Sequence, residues 1–190
     1  LLTGAVKLTP AHLSMLGAPD LSLGRIRGLI VGGEDLKSAP CLRLHQASAG
    51  RVTIYNEYGP TETTVGCMLH RYDPDVDTAP SVPIGRPAAG ASIVVLDGRG
   101  QPAPVGVAGE LCIGGAGVSR GYLGREDLTA ERFVPDPWSP GARMYRSGDH
   151  ARWRADGVLE YLGRRDHQVK IRGHRIELDE VGAALAADPD

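Results

Sequence analysis

Three short apolar runs alternate with two helical patterns in the first part of the 190-residue chain. The runs are Ala5–Leu8, Leu29–Val31 and Arg51–Tyr55. Their β-branched and aliphatic composition predicts buried strands. A Thr-Pro pair predicts a helix from Thr9 to Leu16, and near-helical apolar spacing predicts another from Pro40 to Ala49. Because strands and helices alternate, we expect a parallel sheet, which binds ligands at the carboxyl ends of its strands.

The third apolar run leads into the stretch Asn56-Glu57-Tyr58-Gly59-Pro60-Thr61-Glu62. Gly59-Pro60 predicts a tight turn, because Pro fixes its own φ and restricts the residue before it. An amide, a ring, a hydroxyl and carboxylates at a strand end are typical of a nucleotide site. Lys7 and Gly32 lie near two other strand ends, so the sheet predicts a convergent site. These residues alone leave open an ordinary strand end with a proline turn.

From about Thr78 onward, prolines and short strands replace the alternating pattern. The predicted strands are Ser92–Leu96, Gly109–Ile113, Met144–Arg146, Ala151–Arg154 and Val158–Leu162. Asp156-Gly157 predicts a hairpin between the last two. Residues 80–162 are therefore predicted to form a small antiparallel barrel or sandwich.

A polar linker, Gly163–Asp166, is predicted to end this region. Beyond it, Gln168–Ile171 and Arg175–Leu178 alternate around Gly173, which predicts a hairpin. A final helix is predicted from Glu180 onward, with Asp179 as its cap.

Charge and cysteine content exclude several classes of function. The net charge of -2 gives no reason to expect nucleic acid or an anionic membrane as a partner. No apolar run approaches the roughly 20 residues that a membrane helix needs, so we expect a soluble, cytoplasmic protein. Cys41, Cys67 and Cys112 form no CxxC pair, which favours a reducing compartment over a zinc site or a disulfide framework.

Four stretches occur in a characteristic order: NEYGPTE at 56–62, GELCIGGAGVSRGYL at 109–123, YRSGDH at 145–150 and GRRDHQVKIRGHRIELDEV at 163–181. Together they closely resemble the second half of a nonribosomal peptide synthetase adenylation domain, in the acyl-CoA ligase and luciferase superfamily. The resemblance implies activation of an amino acid with ATP and Mg²⁺ to an aminoacyl adenylate. It also implies transfer to the phosphopantetheine thiol of a peptidyl carrier domain, with a condensation domain as a further neighbour in the same polypeptide.

The implied fold is α/β plus β, the C-terminal part of a large adenylate-forming domain. Residues 1–79 would be the α/β part of the large N-terminal subdomain, and 80–162 an antiparallel β-barrel-like subdomain. Residues 163–166 would form a hinge, and 167–190 the start of a small α+β C-terminal subdomain. In this family the glycine-rich phosphate loop precedes the equivalent of Leu1, and the lysine that assists adenylation follows that of Asp190. No catalytic residue is therefore assigned, and the 190-residue piece is expected to be inactive alone.

The resemblance assigns roles to individual residues around the nucleotide. Tyr58 would stack on adenine, Asn56 and the backbone at Glu57 would meet its amino edge, and Asp149 would hold the ribose hydroxyls. Glu62 would bind Mg²⁺, a hard cation that prefers carboxylate oxygen. The full set of implied ATP or AMP residues is Gly33, Glu34, Asn56, Glu57, Tyr58, Gly59, Thr61, Asp149, Tyr161, Arg164 and Lys170. Asp166 would be the hinge residue and Gly173 would line the pantetheine path, while 109–123 is assigned no ligand.

The implied substrate-binding residues are Lys7, Ile30, Gly32, Glu57, Val65 and Gly66. This set is similar to family pockets that select asparagine. An amide oxygen can accept from Lys7 and the amide NH₂ can donate to Glu57, while the glycines leave room. In the alternative, Lys7 and Glu57 merely form a salt bridge and the substrate is another amino acid.

Two other functions stay open on the sequence. An acyl- or aryl-CoA ligase would share the nucleotide residues without needing a Lys–Glu pocket. A non-catalytic remnant or interaction module is the alternative from a different class.

Overall fold

The computed structural model describes residues 4–15, 26–164, 168–171 and 174–187. Its first elements are β1 (Gly4–Leu8), α1 (Pro10–Met15), β2 (Ile26–Gly32), α2 (Ser38–Ala47) and β3 (Thr53–Tyr58). The strands β1, β2 and β3 pair in parallel, which confirms the predicted parallel sheet. Their carboxyl ends therefore meet at one edge of the sheet.

Both helices begin close to where capping and spacing predict. The Thr9 hydroxyl accepts a hydrogen bond from the backbone N–H of His12 at 3.4 Å, as a capping residue does. The helix α2 begins at Ser38, two residues before the predicted start. It buries Cys41 and Leu44 against the sheet, whereas Leu42 is exposed.

Two further strands extend the first sheet with antiparallel pairing. A 3-10 helix at Thr61–Thr63 follows β3, and β4 (Met68–Arg71) then returns alongside β3. The strand β5 (Arg86–Pro87) pairs with β4, which gives the order β1-β2-β3-β4-β5. The first sheet is therefore completed only after residue 80, where the second predicted region begins.

The second sheet contains most of the remaining elements. These are β6 (Ala91–Leu96), β7 (Gly109–Gly115), α3 (Glu126–Arg132), β8 (Phe133–Pro135), β9 (Arg143–Trp153) and β10 (Leu159–Arg164). The strands run antiparallel in the order β10-β9-β7-β6, with β8 also pairing with β9. Across the described residues this sheet is open, not a closed barrel, because its outer strands β6 and β10 do not pair with each other. The helix α3 has no counterpart in the sequence prediction.

One long strand, β9, replaces the two strands predicted at 144–146 and 151–154. The polar residues between them stay in the sheet through their own hydrogen bonds. The Ser147 hydroxyl donates to the Leu111 carbonyl at 2.6 Å, and the Asp149 N–H donates to the Ser147 hydroxyl at 3.1 Å. The prediction of a break was wrong because buried polar residues in this strand resemble a loop in sequence.

The two sheets share a hydrophobic core. Cys67, Met68 and Ile84 of the first region pack with residues of β7 and β10, including Leu111 and Leu159. The backbone N–H groups of Ile84 and Gly85 donate to the Leu159 carbonyl at 3.0 and 3.2 Å. These contacts fix the positions of the ends of β3, β9 and β10 relative to one another.

The C-terminal elements form the predicted hairpin and helix. They are β11 (Gln168–Ile171), β12 (His174–Glu177) and α4 (Leu178–Ala186). The strands β11 and β12 pair antiparallel, and α4 begins two residues before its predicted start. Among the described residues, no helix is both long and apolar enough to cross a membrane.

All three cysteines are buried and none is in a disulfide. Burial raises the pKa of Cys41 and of Cys112 to about 12, and it also raises the pKa of Cys67. Thiols in such surroundings are packing residues and not nucleophiles.

Candidate functional site

A cleft of about 330 Å³ lies between the end of β3 and the strands β9 and β10. Its lining residues are Gly33, Glu34, Asp35, Leu36, Asn56, Glu57, Tyr58, Gly59, Ile84, Asp149, Tyr161, Arg164 and Gln168. Of the expected nucleotide residues whose side chains the structure describes, all line this cleft except Thr61. Thr61 begins the adjacent 3-10 helix, and Lys170 lies on β11 with its side group outside the described part of the structure.

The turn after Tyr58 is too tight for a side chain at Gly59. A Cβ there would overlap the Val65 carbonyl, because the backbone folds back on itself at this point. The Cys67 N–H donates to the Tyr58 carbonyl at 3.0 Å and closes the turn. Thr64 and Val65 both adopt positive φ, at 64° and 66°, which is unusual for a residue other than Gly.

A hydrogen-bonded group of three side chains, centred on the buried carboxylate of Asp149, forms one wall of the cleft. The Tyr58 hydroxyl donates to Asp149 Oδ2, and Arg164 Nη1 donates to Asp149 Oδ1 at 2.8 Å. Asp149 is only 5% exposed. Burial, together with the negative charge of Asp149, raises the pKa of Tyr58 well above its ordinary value. Tyr58 is therefore a neutral donor, and Arg164 balances the buried carboxylate.

This group also explains why β10 is longer than expected. Arg164 pairs with Asp149 in the β10–β9 ladder, and Gly163 pairs with His150. The strand thus includes two residues of the segment expected to be a hinge. The expected hinge residue itself, Asp166, lies outside the described residues, as does Gly173.

Two aromatic rings face the same cleft. The centroids of Tyr58 and Tyr161 lie 6.1 Å apart with their planes at 38°. Such a pair offers flat apolar surface to a planar ligand. Asn56 is buried behind them, and its side-chain nitrogen donates to the carbonyls of Val82 and Pro83 at 3.0 and 2.9 Å. The Asn56 amide therefore anchors the loop that leads to Ile84.

An ion pair lies at the strand ends beside the cleft. Lys7 Nζ is 2.5 Å from Glu57 Oε2, and the Lys7 side chain is 53% exposed while that of Glu57 is 18% exposed. In the sheet, Lys7 is in register with Ile30, and Gly32 with Glu57. Since residues two apart on a strand face the same side, the sheet brings these four positions to one face.

Two glycines leave the space that the Glu57 side chain occupies. A Cβ on Gly66 would lie 2.7 Å from Glu57 Oε1, and one on Gly32 would lie 2.7 Å from the Glu57 carbonyl oxygen. Val65, beside Gly66, is 49% exposed. A second cleft is lined by Lys7 and Gly32 together with residues of α1, including His12 and Met15.

Glu62 is buried on the 3-10 helix, which follows the cleft-lining residues Tyr58 and Gly59 along the chain. It is 6% exposed, and the Tyr122 hydroxyl donates to its Oε1 at 2.7 Å. The Tyr122 hydroxyl also lies 3.3 Å from the hydroxyl of Tyr145. Burial raises the pKa of Tyr145, with further contributions from Tyr122 and Glu62.

Comparison with known families decides the relationship. Residues 4–123, more than half of the chain, match the family described as AMP-binding enzyme. The chain belongs to the AMP-binding enzymes. Bacitracin synthase 3 of Bacillus licheniformis is 54% identical over 187 residues, which are 98% of this chain and 3% of that protein. The chain thus spans a small fraction of the length of this curated relative.

Solved structures narrow the relationship within the AMP-binding enzymes. Holo-PA1221, described as an NRPS protein containing adenylation and PCP domains, superimposes with a TM-score of 0.89 at 34% identity. The match covers 97% of this chain and 32% of that one. The Vibrio cholerae adenylation domain AlmE, solved with glycyl-adenosine-5'-phosphate, matches with a TM-score of 0.81 at 31% identity, over 95% and 34% of the two chains. The chain is therefore part of an adenylation domain of the nonribosomal peptide synthetase type.

The side chains present fit the magnesium ion that this family implies. Within the described residues, no group of three or more His, Cys, Asp or Glu side chains is arranged to hold a metal. Mg²⁺ commonly needs only one or two carboxylates, since substrate phosphates and water complete its octahedron. Glu62, a buried carboxylate on the 3-10 helix that follows the cleft-lining residue Gly59, can supply one such carboxylate.

Some lining residues escaped the sequence prediction. Asp35 and Leu36 directly follow Gly33-Glu34 after the carboxyl end of β2. Extending the predicted site by two residues at this strand end would have included them. Ile84 and Gln168 carry no such signal, because only the contact between the sheets brings them to the cleft. Tyr122 lies in a stretch that the sequence assigned no ligand, yet it contacts Glu62.

We expect alanine at the two glycines beside Glu57 to differ in effect. Gly32→Ala should lower the free energy of unfolding by about 1–3 kcal/mol, because its new methyl meets backbone that cannot move freely. Gly66→Ala should cost less than about 1 kcal/mol, because the nearest atoms are the mobile end of Glu57. Urea unfolding of the complete domain measures both. Equal losses of stability would contradict the assigned contacts.

Proposed function

We propose that this chain forms the nucleotide and substrate walls of an adenylation domain that activates an amino acid with ATP. The observation that supports it most is the meeting of Tyr58, Asp149 and Arg164 in one cleft beside the Lys7–Glu57 pair. The cleft is lined by aromatic rings and a fixed carboxylate, which suits a nucleoside, and the pair adjoins it at the strand ends. The first reaction joins a substrate carboxylate oxygen to the α-phosphorus of ATP and releases pyrophosphate.

In this proposal each residue of the cleft binds or orients a part of the nucleotide. Adenine lies on the Tyr58 ring with Tyr161 nearby, and Asn56 with the backbone at Glu57 faces its amino edge. Asp149 accepts hydrogen bonds from the ribose hydroxyls, with Arg164 holding its carboxylate in place. Thr61 and Arg164 donate to phosphate oxygens. Gly33, Glu34 and Gly59 shape the cleft, and Lys170 is a further nucleotide contact.

Glu62 is the residue proposed to hold Mg²⁺. The ion, when bound, neutralises charge on the phosphates and so favours departure of pyrophosphate. The protein contributes a carboxylate whose position is set before the nucleotide arrives. Its burial, at 6% exposure, and its hydrogen bond from Tyr122 support this role.

We further propose L-asparagine as the amino acid. Lys7 donates to the amide oxygen of the substrate, and Glu57 accepts from the amide NH₂. The Lys7–Glu57 pair leaves the pocket close to neutral, which suits an uncharged amide. Ile30, Gly32, Val65 and Gly66 complete the pocket, with the glycines leaving room beside Glu57.

The second reaction in the proposal moves the acyl group from adenylate to a thiol. The phosphopantetheine sulfur of a peptidyl carrier domain forms a bond to the carbonyl carbon, and AMP leaves. Asp166 is the proposed hinge between 1–162 and the C-terminal part, and Gly173 lies on the pantetheine path. A condensation domain in the same polypeptide and a cytoplasmic location belong to the same proposal.

Pyrophosphate exchange tests the substrate. The complete adenylation domain is assayed with each of the twenty amino acids plus ornithine, and we expect the highest rate with L-asparagine. If pyrophosphate exchange is fastest with aspartate, or with an apolar amino acid, Lys7 and Glu57 do not recognise a side-chain amide. Replacing the carrier domain by CoA in a thiolation assay separates this activity from that of an acyl-CoA ligase.

A further inference from the structure

Tyr122 connects the loop after β7 to the carboxylate of Glu62, although the two residues are 60 positions apart. Glu62 lies after the last parallel strand of the first sheet, and Tyr122 lies after β7. The phenol donates to Glu62 Oε1 at 2.7 Å. A neutral donor at this distance fixes one carboxylate oxygen without adding charge.

Hydrogen bonds connect the segment around Tyr122 to the segment around Glu62. The Ser119 N–H donates to the Glu62 carbonyl at 2.8 Å, and the Thr64 hydroxyl donates to the Gly117 carbonyl at 2.7 Å. At Gly117, a Cβ would lie 2.9 Å from the Thr63 carbonyl oxygen. The loop containing Gly117 and Ser119 therefore fits closely over the 3-10 helix.

The Tyr122 side chain is itself held by its surroundings. Its ring packs edge-on against Phe133, with centroids 5.4 Å apart. The backbone N–H of Tyr122 donates to the Thr129 hydroxyl at 2.9 Å. Arg143 donates to the Ser119 and Arg120 carbonyls at 3.1 Å each, which fastens the same loop to β9. The phenol thus has one defined place in the fold.

We propose that Tyr122 is a positioning residue, which orients the Glu62 carboxylate toward the metal ion of the proposed function. The inference rests on that function, since it takes Glu62 as the metal ligand. Carboxylates that bind metals are commonly hydrogen-bonded by an outer group that sets their orientation. Tyr122 has the geometry of such a group, and it reaches Glu62 from the loop between β7 and α3.

The test is Tyr122→Phe in the complete domain, because Phe keeps the ring contact with Phe133 and removes only the hydroxyl. Binding of Mn²⁺ in the presence of ATP is measured by electron paramagnetic resonance. We expect the Mn²⁺ dissociation constant to rise about tenfold. Binding of AMP without metal should not change, which distinguishes positioning of Glu62 from a general loss of structure.

Two companion variants make the result decisive. Tyr72→Phe also removes the hydroxyl of a buried tyrosine, but in the core of the first sheet, and should bind Mn²⁺ like the parent. Glu62→Gln should weaken Mn²⁺ binding more than Tyr122→Phe does. The positioning role is overturned if Glu62→Gln binds Mn²⁺ more weakly than the parent and Tyr122→Phe does not. It is also overturned if Tyr122→Phe loses binding of AMP. If Glu62→Gln binds Mn²⁺ normally, the proposed metal role of Glu62 falls, and this inference falls with it.

Discussion

Asp149→Asn should weaken binding of AMP and ATP about a hundredfold. The asparagine amide has one acceptor oxygen, whereas the carboxylate has two. With its NH₂ group turned toward Arg164, the amide cannot accept hydrogen bonds from both ribose hydroxyls. The lost interactions are charge-assisted hydrogen bonds in a buried site, which are the strong kind. The variant should also lose about 3 kcal/mol of stability, since removing one partner of a buried ion pair leaves the other charge poorly compensated.

Calorimetric titration with AMP and urea unfolding of the complete domain measure the two effects. The matched control is Asp127→Asn, because Asp127 also pairs with an arginine, Arg125, but both side chains are exposed. Surface ion pairs of this kind contribute little to stability. Asp127→Asn should therefore change neither the affinity for AMP nor the free energy of unfolding. If Asp149→Asn binds AMP as tightly as the parent, the cleft between β3 and β9 does not hold the ribose.

Glu57→His should shift the amino acid preference from asparagine toward aspartate by about a hundredfold. In the parent, an aspartate side chain would place its carboxylate against that of Glu57, which is unfavourable. Histidine removes this repulsion and can donate to the substrate carboxylate, while Lys7 continues to donate from the other side. The asparagine amide meanwhile loses the acceptor for its NH₂.

The ratio of pyrophosphate exchange efficiencies for asparagine and aspartate is the quantity to measure. Glu131→His is the control, since Glu131 is an exposed residue of α3 that pairs with Arg132. Its ratio should match that of the parent. A Glu57→His variant that loses both activities equally would indicate that Glu57 supports the pocket only through its ion pair with Lys7.

Sequence alone predicted the parallel part of the fold well because strand–helix alternation is a local pattern. The strands β1, β2 and β3 and the turn at Gly59 all follow from composition and from the properties of Gly and Pro. The family resemblance then identified most of the residues that line the cleft. Local patterns failed at β9, where buried polar residues such as Ser147 and Asp149 have the composition of a loop.

What the sequence could not supply were contacts between residues far apart along the polypeptide. The Tyr58–Asp149 hydrogen bond joins positions 91 apart, and nothing near either residue specifies the other. The same is true of Tyr122 and Glu62. Such pairs depend on how the two sheets pack, which is set by the shared core and not by any local pattern.

The distribution of site residues over the two sheets has a consequence for building chimeric enzymes. All residues proposed to read the amino acid lie between Lys7 and Gly66, whereas the nucleotide cleft takes residues from both sheets. A crossover placed after Gly66 would carry selectivity from one parent intact. It would also divide Tyr58 from Asp149, and Glu62 from Tyr122, between the two parents. Active hybrids should therefore come from parents that match at these pairs, whatever their overall identity.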